Sequence, residues 1–155
     1  MAFVMRREFL HFSTAELEEA IDITARLNGI VTASGVRDGL VLVFPLHTTS
    51  AVYVSDCELS LAIDTRAALA RLVPGTASYL HDAHEVKQNA AAHIRAHLAG
   101  HHVVLPITKG SLDLGTFQTV YYLELDGRRD KEVLVKIIGT DEAPGPREGA
   151  GGGGT

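Results

Sequence analysis

The chain has no tryptophan, only two methionines and a single cysteine, Cys57, among its 155 residues. One cysteine cannot form an internal disulfide, so the fold must be held together by its core, and 46% apolar residues are enough to build one. We therefore expect a protein of the reducing cytoplasm. No histidine or basic residue lies near Cys57 in the sequence to activate its thiol, which argues against a cysteine nucleophile.

Long apolar runs and an excess of positive charge are also missing. No segment approaches the roughly 20 apolar residues that cross a bilayer, and the N-terminus lacks the pattern of a secretory signal. A net charge of -5 with no lysine or arginine cluster argues against nucleic-acid binding, which requires a basic face. The expected partner is a small-molecule substrate, with no nucleic acid and no membrane.

The C-terminus differs in composition from the rest of the chain. Residues 141–155 are rich in glycine and proline and contain almost nothing that a core could bury. We expect a single domain at residues 1–140 followed by a disordered tail at 141–155.

Within the domain, helix and strand patterns are mixed. Apolar, β-branched residues predict a strand at 40–46, buried on both faces, with 51–54 as its possible partner. An amphipathic pattern over 59–72, with Ile63, Ala67, Ala70 and Val73 on its apolar face, predicts a helix, and a second helix is expected at 85–98. Strands follow at 103–107, 116–125 and 133–138. Turns are expected at Asp38-Gly39 and Lys109-Gly110, and Asp126-Gly127 is a strong hairpin signal. The class is α+β.

Two interpretations of the N-terminal third stay open on periodicity alone. Residues 3–12 favour a strand, after which the capping-box pattern Ser13-Thr14-Ala15-Glu16 would begin a helix through Leu27. Alternatively, residues 19–23 form a second strand, and Thr24 caps a helix that ends at Ser34, before Gly35.

Eight histidines dominate the candidate chemistry. Asn89, His93 and His97 follow each other at four-residue steps and lie on one helix face, but the glutamate that follows the first histidine of a zincin motif is absent. His97 fits a solvated surface position, whereas small neighbours leave room for a pocket around His93. His47 ends the apolar strand and is followed by Thr48 and Thr49, whose hydroxyls can hold an imidazole or a phosphate.

Other polar groups occur at turns. His81 is followed by Asp82, whose carboxylate can orient an imidazole. The segment Gly115-Thr116-Phe117-Gln118 places hydroxyl and amide groups at a strand entry, and Lys109 lies in a turn. An ordinary loop would also use these residues.

The order of these motifs resembles the YjbQ-like family, also called secondary thiamine-phosphate synthases. The resemblance spans nearly the whole chain before the tail and is carried by Asp22-Ile-Thr, 39-GLVLVFPLHTT-49, Leu72-Val-Pro, Tyr79-Leu-His-Asp, 89-NAAAHI-94, Leu105-Pro-Ile, 112-LDLGTFQ-118 and Glu124-Leu-Asp-Gly.

The resemblance implies an α+β fold with a mixed, largely antiparallel, barrel-like sheet and flanking helices, assembled as a homotrimer. It also implies that residues 18–23 form a strand and that the first helix begins at Thr24. It maps three site histidines onto His47, His81 and His93, with Asn89 and Gln118 beside them.

Three neutral imidazoles would leave one position open on a tetrahedral divalent metal. Zinc is the first choice, although nickel, iron or copper also accept imidazole. His47, His81, His93, Asn89 and Gln118 are the expected catalytic groups. The expected substrate-binding groups are Thr48, Thr49, Asp82, Lys109, Gly115 and Thr116.

The reaction that the family name implies joins a pyrimidine diphosphate to a thiazole phosphate and releases pyrophosphate. A metal-dependent hydrolase of a small phosphorylated or polar metabolite is one alternative, and a non-enzymatic trimeric ligand- or metal-binding module is another. The chain departs from the family at Ser55-Asp56-Cys57, at Ala91, where many members have another histidine, and at Phe117, where a tryptophan is usual.

Overall fold

The structure, a computed structural model, describes residues 1–142 and Gly145. The predicted disordered tail lies outside the described residues, apart from Asp141, Glu142 and Gly145. Eight strands and three helices occur in the order β1 (Phe3–Ser13), β2 (Glu19–Asp22), α1 (Thr24–Ser34), β3 (Asp38–Pro45), β4 (Ser50–Asp56), α2 (Leu59–Leu72), a 3₁₀ turn (His81–Ala83), α3 (Ala90–Ala99), β5 (Val103–Thr108), β6 (Ser111–Leu112), β7 (Gln118–Glu124) and β8 (Asp130–Thr140).

The strands form two antiparallel sheets. The larger sheet has the order β1-β8-β3-β5-β6, and the smaller has the order β2-β7-β4. Three helices accompany them, which confirms the predicted α+β class with a largely antiparallel sheet. In the part of the chain that the structure describes, no helix is long and apolar enough to cross a membrane.

The main core lies between the two sheets. Alternate residues of each strand point inward, so that Val41 and Val135 of the larger sheet share one cluster with Val52 and Tyr122 of the smaller sheet. Leu27, from α1, packs into the same cluster. The opposite face of the smaller sheet packs against α2 and α3 in a second cluster, formed largely by small side chains. The described part of the chain is therefore layered, and none of its three helices covers the outer face of the larger sheet.

The structure decides between the two N-terminal interpretations. Strand β2 and helix α1 occur as the resemblance implied, and α1 ends before Gly35, which adopts the left-handed conformation. The capping-box helix is wrong. The Glu19 side chain accepts the backbone N–H groups of Ala15 and Glu16, so these polar residues form a loop and not a helix start.

Four strand and turn predictions need correction. Strand β4 pairs with β7 in the smaller sheet and not with β3, which lies between β8 and β5. Asp126-Gly127 joins β7 to β8 across the two sheets, so it is no hairpin, and Asp38-Gly39 lies inside β3. β3 is not buried on both faces, because Leu40 is exposed and Leu42 and Phe44 are only half-buried. The Lys109-Gly110 hairpin is confirmed by the pairing of β5 with β6.

The two later helices also differ from expectation in detail. Helix α3 begins at Ala90 and not at residue 85, because residues 85–89 are irregular and Asn89 is the N-cap. Helix α2 has the predicted bounds, but it buries Ala62 and Leu69 and leaves Ile63 half-exposed. The helix faces that pack on the smaller sheet carry mostly small side chains. Apolar periodicity alone does not show which of two apolar faces of a helix is buried.

Two glycines bring the central strands β3 and β8 together. Gly39 and Gly139 are register partners. A Cβ atom on Gly39 would collide with the carbonyl oxygen of Ile138 and would lie 2.7 Å from the Cα atom of Gly139. The obstacle is backbone on a central strand, which cannot move without breaking the sheet.

We predict that Gly39→Ala lowers the free energy of unfolding by about 1–3 kcal/mol, because the added methyl group overpacks the β3–β8 contact. Urea denaturation measures this change. Gly29→Ala is the matched control: Gly29 lies in α1 with nothing within 4 Å of an added Cβ, so its substitution should raise stability by about 0.5–1 kcal/mol. A neutral Gly39→Ala would show that the two strands can separate without cost.

Candidate functional site

The end of β3 brings His47, Thr48 and Thr49 next to β8. The Nε2 atom of His47 accepts the backbone N–H of Glu132 at 2.9 Å, and the N–H of Leu46 donates to the carbonyl of the same residue. Since a neutral imidazole has one N–H and one acceptor nitrogen, His47 must carry its proton on Nδ1. The ring is half-buried and is fixed by this bond.

A second group of polar residues lies at the start of α3. The Oδ1 atom of Asp82 accepts the backbone N–H of Ala90 at 2.9 Å, which satisfies a free donor of the first helical turn. This bond fixes the His81–Ala83 turn against the helix, so that the rings of His81 and His93 lie 5.0 Å apart between centroids, edge to face. Asp82 thus orients the helix start, which differs from its expected contact with a histidine.

These two groups line a common cavity of about 320 Å³. His47, Thr48 and Thr49 form one side, and Asn89 and His93 form the other. His81 is exposed and does not line the cavity, although its ring contacts that of His93. The cavity, called the histidine pocket below, is completed by Leu46, Asp126, Arg129 and Lys131.

A chain of hydrogen bonds crosses the wall of the histidine pocket. Asn89 donates its side-chain N–H to Oδ2 of Asp126 at 2.9 Å, and the same oxygen accepts Nη2 of Arg129 at 2.5 Å. Because the Asn89 nitrogen faces Asp126, its oxygen faces His81 at 3.2 Å, and Nε2 of His81 is therefore the donor. This leaves Nδ1 of neutral His81 as a free acceptor.

A buried ion pair forms the floor of the histidine pocket. Nζ of Lys131 lies 2.7 Å from Oε2 of Glu124, and the exposed fractions of their side chains are 1% and 0%. The other Glu124 oxygen accepts the backbone N–H groups of Leu125 and Asp126 at 3.0 Å each. Glu124 therefore joins the floor to the turn that carries Asp126.

The charges around the histidine pocket shift two pKa values. Burial, together with the nearby Lys131 ammonium, lowers the pKa of His47 below its ordinary value of 6.5, so the ring stays neutral near pH 7. Burial alone would raise the pKa of Asp126, but hydrogen bonds from Asn89 and Arg129 outweigh it and lower the pKa.

The arrangement supplies fewer metal ligands than the three-histidine prediction requires. His47 uses its acceptor nitrogen on the N–H of Glu132. Of the three predicted histidines, only His81 and His93 therefore keep an acceptor nitrogen for a metal. Among the described residues, no group of three or more His, Cys, Asp or Glu side chains is placed to hold a metal. His47 would have to give up its bond to Glu132 and turn before it could join a zinc site.

Four predicted site residues lie elsewhere in the chain. Gln118 begins β7, about 20 Å along that strand from Glu124, and its side-chain oxygen accepts the backbone N–H of Gly115 at 2.8 Å. Thr116 is exposed in the same loop, and Lys109 lies in the β5–β6 hairpin. Within one chain these residues do not reach the histidine pocket, so their roles stay predictions.

Four charged residues of the histidine pocket and its floor were missed from sequence, namely Glu124, Asp126, Arg129 and Lys131. The sequence pattern predicts a hairpin turn at Asp126-Gly127 and no role for the charges around it. One signal was available: Lys131 occupies the same phase of β8 as Val133, Val135 and Ile137, which all point into the core. A charge on the buried face of a strand is a sign of function or of a buried ion pair.

We predict that the lowered pKa of His47 makes the free energy of unfolding decrease as the pH decreases. Because the folded-state pKa lies below the unfolded value, the folded state binds fewer protons, and stability is lost as pH falls from 6.5 through the lower folded pKa. His47→Gln, which keeps an acceptor for Glu132, should show a smaller loss over this window. Urea denaturation from pH 8 to 5 tests this. An unchanged pH dependence would contradict it.

Comparison with known proteins agrees with the fold and identifies the family of the chain. The family model described as "UPF0047 protein YjbQ-like" matches residues 8–140. A UPF0047 protein of Methanothermobacter thermautotrophicus is 39% identical over 84% of this chain and 90% of its own, and one of Archaeoglobus fulgidus is 41% identical over 83% and 98%. Among solved structures, a YbjQ-like protein of Sulfolobus solfataricus matches with a TM-score of 0.85 and 30% identity, covering 90% of this chain and 100% of that one. The chain therefore belongs to the YjbQ-like UPF0047 family.

Proposed function

We propose that the histidine pocket binds a small phosphorylated metabolite and that its histidines transfer a proton during the reaction of that metabolite. The observation that carries this proposal is convergence: a strand end and a helix start, far apart in sequence, bring two imidazoles, two hydroxyls and an amide to one cavity, and the 3₁₀ turn adds the His81 ring against that of His93. A pocket of about 320 Å³ with a few convergent polar groups suits a small ligand.

The protonation states support proton transfer. His47 is neutral near pH 7 with its N–H on Nδ1, and His81 has a free acceptor nitrogen on Nδ1. His47 can therefore donate at the pocket, whereas the His81 ring lies outside the lining and contacts that of His93, which faces the cavity. Neutral imidazoles are suited to general acid–base catalysis near neutral pH.

Three kinds of activity fit this pocket. The first is the synthase reaction implied by the resemblance, in which a pyrimidine diphosphate joins a thiazole phosphate and pyrophosphate leaves. The second is hydrolysis of a phosphorylated or polar metabolite, and the third is binding without reaction. We place the synthase-type transfer first, because cations at the pocket can offset the charge of leaving pyrophosphate.

The proposed location of the protein is the reducing cytoplasm, which suits the exposed thiol of Cys57.

A zinc site is the second candidate function. The 5.0 Å separation of the His81 and His93 rings favours it, because two imidazoles so close can share one ion. His47 would supply the third nitrogen after it leaves Glu132. Bound zinc would act as a Lewis acid toward a phosphoryl oxygen.

We predict that His93→Gln lowers turnover of pyrimidine diphosphate and thiazole phosphate by about 10²–10⁴-fold, the usual effect of removing an acid–base group. Pyrophosphate release measures the rate, and imidazole NMR signals report binding of each phosphorylated compound and its unphosphorylated form. His97→Gln is the matched control, since His97 lies one turn further along α3 and is exposed.

The same two variants test the metal. Stoichiometric zinc binding by the wild type and by His97→Gln, with none by His93→Gln, would support the zinc site. Absence of zinc binding by the wild type would leave the phosphorylated-ligand proposal standing alone. If no phosphorylated compound shifts the His47 or His93 signals, the proposed function is wrong.

We also propose that the chain assembles as a homotrimer through the outer face of its larger sheet. Met5, Ile138, Leu40 and Pro106 are register neighbours across four strands. Met5 is 56% exposed, Leu40 45% and Ile138 40%, although side chains of this kind are usually buried. The apolar sequence of β3, which predicts burial on both faces, is explained if another copy covers this face.

We predict that the wild type has three times the 16.6 kDa mass of the chain in light scattering and that Leu40→Glu lowers this mass, because it places a charge in the covered face. Val86→Glu is the control, since Val86 is fully exposed in a loop. A trimeric Leu40→Glu would show that another surface holds the assembly.

A further inference from the structure

The most unusual side chain of the histidine pocket is Lys131. Its ammonium is almost completely buried at 2.7 Å from Glu124, yet neither Nζ of Lys131 nor Oε2 of Glu124 makes a hydrogen bond of good geometry within the described part of the chain. An ammonium has three N–H groups, and buried donors without acceptors cost enough free energy that native proteins nearly always satisfy them. Lys131 therefore has donors to offer to something outside the chain's own side chains.

Lys131 lines the histidine pocket together with His47 and Arg129, and its Nζ atom lies buried directly beneath that lining. The Nδ1–H group of His47 is free, because only Nε2 is engaged by Glu132. Arg129 uses one terminal nitrogen on Asp126 and keeps further N–H groups. Three donor groups from the end of β3, the β7–β8 loop and β8 thus surround one cavity.

The carboxylates nearby do not compete strongly for this position. One oxygen of Glu124 is held by two backbone N–H groups in the following turn, and one oxygen of Asp126 is held by Asn89 and Arg129. One oxygen of each carboxylate is engaged in this way, and Oε2 of Glu124 can face only one of the three N–H groups of Lys131. The cavity consequently offers an oxyanion more unfilled donors than unfilled acceptors.

We infer that Lys131 is the anchor for a phosphoryl group of the ligand, with its oxygens accepting from Nζ of Lys131, the Arg129 guanidinium and Nδ1 of His47. The inference rests on the proposed function and names the part of the ligand that enters most deeply. A tetrahedral phosphoryl group has three peripheral oxygens, which matches three donor groups arriving from different elements. The ligand class is a phosphate ester or diphosphate whose charged end faces the floor of the pocket.

A purely structural ion pair is the competing explanation, and isosteric variants separate the two. Lys131→Met alone would leave Glu124 buried without its partner, so the main variant is the double substitution Lys131→Met/Glu124→Gln, which removes both charges together. Arg71→Met is the control, because Arg71 is exposed in the last turn of α2, away from the histidine pocket and from the outer face of the larger sheet. If the double variant does not fold, Lys131→Gln/Glu124→Gln replaces it.

Calorimetry of the full-length protein with inorganic phosphate and pyrophosphate measures the effect. We expect pyrophosphate to bind the wild type and Arg71→Met alike and to bind the folded double variant about 10–100-fold more weakly, the usual effect of losing a hydrogen bond to a charged group. Malonate, a dicarboxylate of similar size, should bind the wild type more weakly than pyrophosphate.

Two outcomes would overturn the inference. Wild-type affinity in the folded double variant would show that Lys131 only balances Glu124, and malonate binding as tight as pyrophosphate would reject a phosphoryl subsite. If pyrophosphate fails to bind while a metabolite still shifts the His47 and His93 signals, this inference fails and the proposed function stands. If no metabolite shifts those signals, the proposed function itself fails.

Discussion

The ion pair between Glu124 and Lys131 lies where the two sheets stop enclosing apolar core. Each residue points into the interior in phase with core residues of its own strand, β7 or β8. Each charge offsets the burial cost of the other, so removing one partner would leave a charge in a medium that solvates it poorly. Glu124 also holds the turn that carries Asp126, and Lys131 lowers the pKa of His47. The geometry and the charge of the histidine pocket both depend on this contact.

The histidine pocket takes its residues from every layer of the fold. The larger sheet provides His47 and Lys131, the connection from the smaller sheet provides Asp126 and Arg129, and the helix layer provides Asn89 and His93. The N-terminal loop supports this arrangement, because Oγ1 of Thr14 accepts the backbone N–H groups of residues 128 and 129. No single element can form the pocket, and a change in the packing of any layer displaces part of it.

Local patterns predicted the elements of this fold better than their partners. Helix α2 and strand β5 were predicted within one residue of their bounds, because their apolar periodicity and breakers are local. The pairing of β4 with β7 depends on which sheet each strand joins, which no local pattern states. Likewise the histidines were found from motifs, whereas Lys131 and Glu124 acquire their significance only from a contact between two sheets. The hairpin signal at Asp126-Gly127 gave no indication of this contact.

The position of β8 in the larger sheet has a consequence for synthesis. This strand is the last of the fold to leave the ribosome, yet it lies between β1 and β3, near the centre of the sheet. A nascent chain that ends at residue 129 lacks Lys131 at the floor of the pocket and Glu132, whose backbone N–H fixes His47. In such a chain β1 also lacks β8, the strand with which it pairs. Folding of the larger sheet must therefore wait until β8 has been synthesised, which exposes the earlier apolar strands to chaperones.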